Sequence, residues 1–362
     1  QKLAVPGEEL ANVHAATEFV GWYNAHPDHR GHQFALDRAE RVAIVGNGNV
    51  AMDVARVLLA KPEQLAATDI ADHALATLRS SRVREVVLLG RRGPAQAAFS
   101  PKEIEEIAAL DDVDVVVEPA EVELDPLSAE WLERDGARSQ QRNVRFLKEC
   151  ATKGPTGRAK RLVCRFLVAP RELHGEAGAL AAVVLDHMQL VPDAIGTPRP
   201  KPRGTDERLP VDLLFKAIGY RGVPVPGVPF DEQRGIVPNT EGRVLERPGG
   251  TVRLGHYAAG WCKRGPTGLI GTNSLDAKAT VEAMFVDHGA GRQLDPSGAD
   301  LVPQLRARGI DVVTWSDWTR LDAHEREQGE RLGKVRHKLD SVEALLDTIR
   351  SLRPQADAAP AN

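Results

Sequence analysis

The sequence predicts an α/β protein built around parallel nucleotide-binding sheets, and three phrases within its 362 residues predict it. The first, Arg41 to Arg56, is a strand, a glycine turn and a helix start in one run. The second, Glu85 to Pro94, is an apolar strand that ends in two arginines. The third, Ala258 to Val286, is a glycine-crowded loop followed by a helix.

In the first phrase, Val42 to Val45 is a short apolar run of the kind that is buried on both faces of a parallel sheet. Gly46 and Gly48 then let the backbone turn sharply and approach a pyrophosphate, and Ala51 is the third small residue, where helix packs on strand. The free N–H groups of a helix opening near Asn49 would hold the phosphates. Taken alone, the pattern also fits a tight strand-to-helix turn with no ligand.

The second phrase supplies context. Val86 to Leu89 reads as a buried strand, and Arg91 and Arg92 stand where a NAD site has an acidic residue for the ribose 2′-OH. Guanidinium groups pair with phosphate oxygens in bidentate geometry, so the pair points to the 2′-phosphate of NADP; a solvated basic loop is the plainer alternative. About 40 residues separate the glycine turn from this strand end, against about 20 in the usual motif. Lys61 to Ser81 therefore reads as an inserted helix and loop.

The third phrase has too many glycines for a strand or a helix interior. Glycines crowd a backbone where a flat ligand lies close. The helix that follows, Ser274 to Val286, offers a positive dipole end to an electron-rich ring edge, and Trp261 is suited to stack on a planar cofactor.

Taken together, Gly46 to Ala51, Gly90 to Pro94 with Gln96 and Phe99, Ile218 to Gly222, and Gly260 to Asn273 resemble the adrenodoxin reductase family. These are FAD-dependent ferredoxin–NADP reductases of glutathione-reductase type, found in mitochondria and actinobacteria. Phe19 to Pro27 resembles the bacterial members. The resemblance implies two Rossmann-like domains, the NADP domain inserted into the FAD domain. It also implies that Gly46, Asn47, Gly48, Asn49 and Val50 form the pyrophosphate turn, that Arg91 and Arg92 hold the 2′-phosphate, and that Glu103 contacts NADP. Trp261, Gly268, Leu269 and Ile270 match positions that contact FAD, and Gly268 matches one near the nicotinamide. Glu106, one turn on from Glu103, is a candidate for proton or electron passage; a solvated helix face over Lys102 to Glu106 is the plain alternative for both glutamates.

The implied reaction takes hydride from NADPH to FAD and then single electrons to a ferredoxin-type iron–sulfur protein. Family members open with a strand and a GxGxxG turn for the ADP half of FAD. No such element precedes Gln1, and Leu3 to Gly7 reads as a crossover out of an FAD segment already completed, so the expectation is a chain lacking the N-terminal part of its FAD domain. The expected boundaries are 1–37 for the connection from that segment, 38–222 for the NADP domain, 223–295 for the C-terminal part of the FAD domain and 296–362 for a helical extension.

Within these limits, Leu162 to Val168 and Ala181 to Leu190 read as an antiparallel hairpin joined through a polar turn at Arg171 to Glu176. Val211 to Ile218 reads as a closing strand, and Val223 to Pro229 as the passage back to the flavin side. Helical spacing marks Leu301 to Arg308, Trp315 to Gly333 and Ser341 to Leu352, with Trp315, Trp318 and Leu321 expected to face the body of the protein. Residues after Arg353 read as a frayed tail.

Composition narrows the partners. A net charge of −4 leaves no footprint for nucleic acid, and no stretch approaches the roughly 18 apolar residues of a membrane span. Cys150, Cys164 and Cys262 have no metal spacing, which fits a reducing cytosol, and Cys262 reads as a packed thiol. Lys263, Arg264, Arg30 and Arg41 are candidates for a basic face that meets an acidic ferredoxin, with ordinary solubility as the plainer account. Two other functions share the scaffold. One is the electron-input subunit of a glutamate synthase, which N-terminal cysteine clusters would mark; the other is an NADP-binding module that catalyses nothing.

Overall fold

The apolar run that opens the nucleotide turn becomes the middle of a six-stranded parallel sheet. In the computed structural model, which describes residues 1–268, 270–294 and 300–354, the strands along the first part of the chain are β1 (Val13–Ala15), β2 (Arg41–Val45), β3 (Glu85–Gly90), β4 (Val113–Val117), β5 (Lys160–Phe166), β6 (Val168–Glu176), β7 (Ala179–Pro192), β8 (Pro198–Pro210) and β9 (Leu213–Lys216). The parallel sheet has the order β1-β9-β2-β3-β5-β4, and β6-β7-β8 form a separate antiparallel sheet. Val42–Val45 runs in register with Val86–Leu89 on one side and Leu213–Lys216 on the other.

Side chains alternate across a strand, so β2 feeds two different cores. Val42 and Ile44 join the cluster that holds Phe19, Met52, Leu58 and Phe215. Ala43 and Val45 join Val183, Leu185 and Leu214, which come from the antiparallel sheet and from β9. Helices cover one face and a second sheet covers the other, so neither face of β2 meets water. That is why the run contains no polar residue.

The helices of this part are α1 (Ala16–Tyr23), α2 (Asn49–Leu59), α3 (Pro62–Ala66), α4 (Asp72–Arg79), α5 (Pro101–Ala108), α6 (Pro119–Val122), α7 (Pro126–Arg134) and α8 (Arg138–Lys153). The insertion at Lys61 to Ser81 holds two short helices, α3 and α4, in place of a helix and a loop.

One expected pairing is wrong. The segment from Leu162 does not pair with Ala181 to Leu190: β5 lies in the parallel sheet between β3 and β4. The chain changes sheets at Leu167, whose φ is +56°, and the polar stretch Arg171 to Glu176 is strand rather than turn. Its polar side chains mislead. Only Leu173 is buried there, so the stretch is an exposed strand held by backbone pairing with β7.

Residues 2–218 and 313–354 form one compact unit, and Gly219–Val312 with Gln1 form a second. The second unit contains an antiparallel sheet of β10 (Asn239–Thr240), β11 (Arg243–Leu245) and β12 (Val252–Tyr257), with α9 (Trp261–Arg264), α10 (Ile270–Gly289) and α11 (Leu301–Ala307). Helix α10 begins four residues before the expected Ser274. Gly271 sits inside its first turn, at a cost of about 1 kcal/mol relative to alanine.

The last two helices, α12 (Trp315–Arg331) and α13 (Val342–Leu352), belong to the first unit. Lys334 pairs with Asp72 at 2.5 Å, Lys338 with Asp69 at 2.7 Å, and Asp340 with Arg30 at 3.2 Å, which ties this segment to the α3–α4 insertion and to the loop after α1. Leu321 is buried as expected. Trp315 and Trp318 are not: they are 76% and 45% exposed and stack on each other with ring centroids 4.7 Å apart. The inward face of α12 runs instead through Asp317, Leu321, Glu325 and Gly329, at a spacing of four. The tail after Arg353 lies almost wholly outside the described residues. Among the described residues, no helix is long and apolar enough to cross a membrane.

Asp317 can be buried because it is fully paired. Arg353 reaches both of its oxygens at 3.0 Å, and the N–H and hydroxyl of Thr314 each donate at 3.0 Å. The Arg353 guanidinium, aided by Thr314, holds the carboxyl well below the usual aspartate range. Its stabilising contribution is therefore complete above the unfolded-state value of about 4 and is lost as pH falls toward and through the lower folded-state value. Urea unfolding followed between pH 6 and pH 2 should show stability falling below about pH 4, and Asp317→Asn should flatten that fall.

Candidate nucleotide-binding and flavin-side sites

The nucleotide turn is built by neighbouring strands as much as by its own residues. Gly46 has φ +125°, and a Cβ placed on it would lie 2.3 Å from the carbonyl oxygen of Ala217. Ala217 cannot give way, because its N–H donates to Val45 at 2.8 Å; the Gly46 N–H in turn donates to Leu89 at 3.0 Å. Gly48 is the N-cap of α2 and has the opposite character, with nothing within 4 Å of its Cβ position. No side chain caps α2, so no capping side chain takes up its first N–H groups. Ala51 is fully buried at the third small position, and Val50 is half-buried.

Asn47 and Asn49 pin the loop that leads to α5. The Asn47 carbonyl accepts from Ala98 at 3.1 Å, and Asn49 Oδ1 accepts from the Ser100 N–H at 2.8 Å. The two helix N-termini, α2 and α5, are thereby held together beside the turn.

Every residue of β3 is buried, and the two arginines follow it directly. Arg91 is exposed and Arg92 half-buried, and neither meets a carboxylate among the described residues. Burial first, then the charges of Arg91 and Arg199, push the Arg92 guanidinium below its ordinary value. Two adjacent cations, Arg91 and Arg92, that meet no carboxylate among the described residues make a site for an anion. The loop that carries them is held from below. Gln96 Nε2 donates to Ser128 Oγ at 3.2 Å, and Asn143 Nδ2 donates to the Phe99 carbonyl at 2.8 Å.

Glu103 and Glu106 both face Arg56 of α2. Arg56 Nη1 donates to Glu103 at 3.0 Å and to Glu106 at 2.7 Å, while Nη2 donates to Asp53 at 2.5 Å. One guanidinium thus serves three carboxylates. Burial, with Glu103 and Glu106 adding to it, raises Asp53 above its usual value despite the neighbouring arginine.

The flavin-side loop lies in the second unit. Gly260, Gly265 and Gly268 all have positive φ, at +70°, +86° and +82°. Trp261 is 43% exposed and sits 5.3 Å from the ring of Tyr220. Asp276 of α10 anchors the loop by accepting from the Gly260 N–H and by pairing with Lys263 at 3.0 Å. Arg264 bonds Thr267 and Asn273, and its Nε is buried without a partner among the described residues. Ile270 opens α10, and Leu269 lies outside the described residues.

One expectation in this region needs correction. Cys262 is exposed rather than packed, its thiol donating to Ala259 at 3.1 Å. Burial pushes the Cys150 thiol up to about 11 and the fully enclosed Cys164 further, so both are neutral. The bases offered for a docking face are already engaged: Lys263 by Asp276, Arg264 by Asn273, Arg30 by Asp340 and Arg41 by Glu85.

No protein-family model matches the chain. It is 44% identical over 351 residues to the NADPH-ferredoxin reductase FprA of Mycobacterium tuberculosis, covering 95% of this chain and 75% of that protein. It is 37% identical over 363 residues to the mitochondrial NADPH:adrenodoxin oxidoreductase of Bos taurus, covering 96% of this chain and 71% of that protein. The solved structure of Mycobacterium tuberculosis FprA in complex with NADPH superposes with a TM-score of 0.87 at 43% identity, covering 96% of this chain and 76% of that one. The chain belongs to the NADPH–ferredoxin and adrenodoxin reductase family.

In this reductase two residues that the sequence motifs did not single out, Asp53 and Arg56, join the candidate glutamates in one ion-pair group. Asp53 and Arg56 stand three apart on α2, as Glu103 and Glu106 do on α5. A complementary pair of such spacings on two helices was the signal available, but it has meaning only once the helices are known to pack.

Proposed function

We infer that the chain is a flavin-dependent NADPH–ferredoxin oxidoreductase, accepting hydride from NADPH and delivering single electrons to a ferredoxin-type iron–sulfur protein. The observation that carries this is the glycine turn at the head of α2 together with Arg91 and Arg92 at the end of β3, which meet no carboxylate among the described residues. FAD, when bound, supplies the step between a two-electron donor and a one-electron acceptor. The residues present fit such a group. Gly260 and Gly265 leave the space at their Cβ positions almost empty, and Arg264 offers a buried nitrogen without a partner among the described residues.

The protein's own part is placement. The N–H groups at Asn49 and Val50 would take the pyrophosphate, with Gly46 and Gly48 shaping the backbone and Asn47 and Asn49 fixing the loop beside it. Arg91 and Arg92 would grip the 2′-phosphate. We assign Glu103 to a nucleotide contact and Glu106 to proton or electron passage, with Arg56 setting where both carboxylates stand. Trp261, Gly268, Leu269 and Ile270 are assigned to FAD. The domain limits 38–222 for NADP and 223–295 for FAD are part of the same proposal, and three cysteines without framework spacing support a cytoplasmic setting.

An absorbance spectrum followed by anaerobic addition of one equivalent of NADPH tests this function. Flavin bands that bleach on addition are expected. A protein that binds NADP and carries no flavin, even after incubation with FAD, would favour the binding module instead. Trp261→Ala should weaken FAD retention by roughly tenfold, the scale of one lost aromatic contact. Flavin content after gel filtration reads this out, and unchanged content would remove Trp261 from the site.

A further inference from the structure

Arg91 and Arg92 are not the only cations at the end of β3. Leu190 of β7 comes within 3.7 Å of the position a Cβ on Gly93 would take, so the far end of the antiparallel sheet lies against the arginine loop. Leu190 pairs in register with Pro200, and Val191 with Arg199. Asp193, in the turn between β7 and β8, accepts from the N–H groups of Ile195 and Thr197 at 3.1 and 2.9 Å, and from Arg199 Nε at 2.9 Å. The turn fixes Asp193, and Asp193 holds Arg199 by the nitrogen nearest its stem. The two terminal nitrogens of Arg199 have no partner among the described residues, and the side chain is 61% exposed. Its charge is close enough to act, beside that of Arg91, against the Arg92 cation. Such repulsion costs free energy that a bound anion of nearly two charges would offset.

We propose that Arg199 is a third reader of the 2′-phosphate, carried to Arg91 and Arg92 by the antiparallel sheet and held by Asp193 with its terminal fork free. The proposal rests on the reading that Arg91 and Arg92 hold that phosphate. It adds a specificity residue from a strand outside the nucleotide-binding sheet.

Calorimetric titration of the purified protein with 2′,5′-ADP and with 5′-AMP tests it without any turnover. Arg199→Gln should weaken 2′,5′-ADP about five- to tenfold, the value of one exposed charge-assisted contact, and leave 5′-AMP unchanged. Arg199→Lys, which keeps the charge and loses the fork, should fall between. Arg199 is exposed at an edge strand, so the variants should fold, and circular dichroism checks that they do. If Arg199→Gln binds 2′,5′-ADP as the parent does while Arg91→Ala with Arg92→Ala loses its preference for it, the third reader is overturned and the two-arginine site stands. If the double variant also keeps the preference, the site itself is misplaced and the proposal falls with it.

Discussion

Replacing Arg91 and Arg92 together by alanine should abolish most of the preference for NADPH over NADH. Each arginine can offer a charge-assisted hydrogen bond to phosphate, and for partly exposed groups the pair is worth about 2–4 kcal/mol, or roughly 30- to 1000-fold in kcat/KM. The loss should fall on NADPH alone, because NADH presents a hydroxyl at that position. Stability should change little: neither arginine meets a carboxylate among the described residues, and removing them relieves the repulsion felt by Arg92. The measurement is kcat/KM for both coenzymes in parent and variant. An unchanged ratio would show that the 2′-phosphate is read elsewhere.

Gly46→Ala should be damaging for a different reason, and Gly48→Ala provides its control. A methyl at Gly46 would meet the Ala217 carbonyl at 2.3 Å in a backbone conformation, φ +125°, that alanine rarely adopts. Ala217 is bonded to β2, so relief requires prising β9 from its neighbour. Strain of this kind costs about 3 kcal/mol, which for a unit of this size lowers Tm by roughly 6–12 °C. Gly48 has φ −99° and open space at its Cβ position, so Gly48→Ala should leave Tm unchanged while placing a methyl where the pyrophosphate approaches. Thermal unfolding and NADP+ titration on both variants separate the roles. Equal Tm for Gly46→Ala and the parent would mean that β9 yields more easily than its hydrogen bonds indicate.

The nucleotide turn was legible in the sequence because its chemistry is local. A β-branched run, two glycines, a small residue and a helix start lie within a dozen positions, and each restricts the backbone by itself. Arg91 and Arg92 were legible for the same reason, since they stand where a strand must end. The antiparallel sheet is not legible because Arg171 to Glu176 is polar, and an exposed strand with one buried leucine has almost no hydrophobic period to detect. The inward face of α12 is not legible because tryptophan is expected inside, whereas a buried aspartate needs the distant Arg353 to make it tolerable.

The sequence by itself determined that this is an α/β reductase of the NADPH–ferredoxin and adrenodoxin reductase family, and it marked the glycine turn at Gly46 to Val50 and the pair Arg91 and Arg92 as the candidates for the nucleotide's phosphates. Tertiary structure decided what surrounds them: Ala217 just past the end of β9, Arg56 between the two glutamates, and Arg199 arriving on β8. These depend on pairings between residues 47 to 171 positions apart, and spacing along one chain carries no signal for contacts that only the packed sheets and helices create.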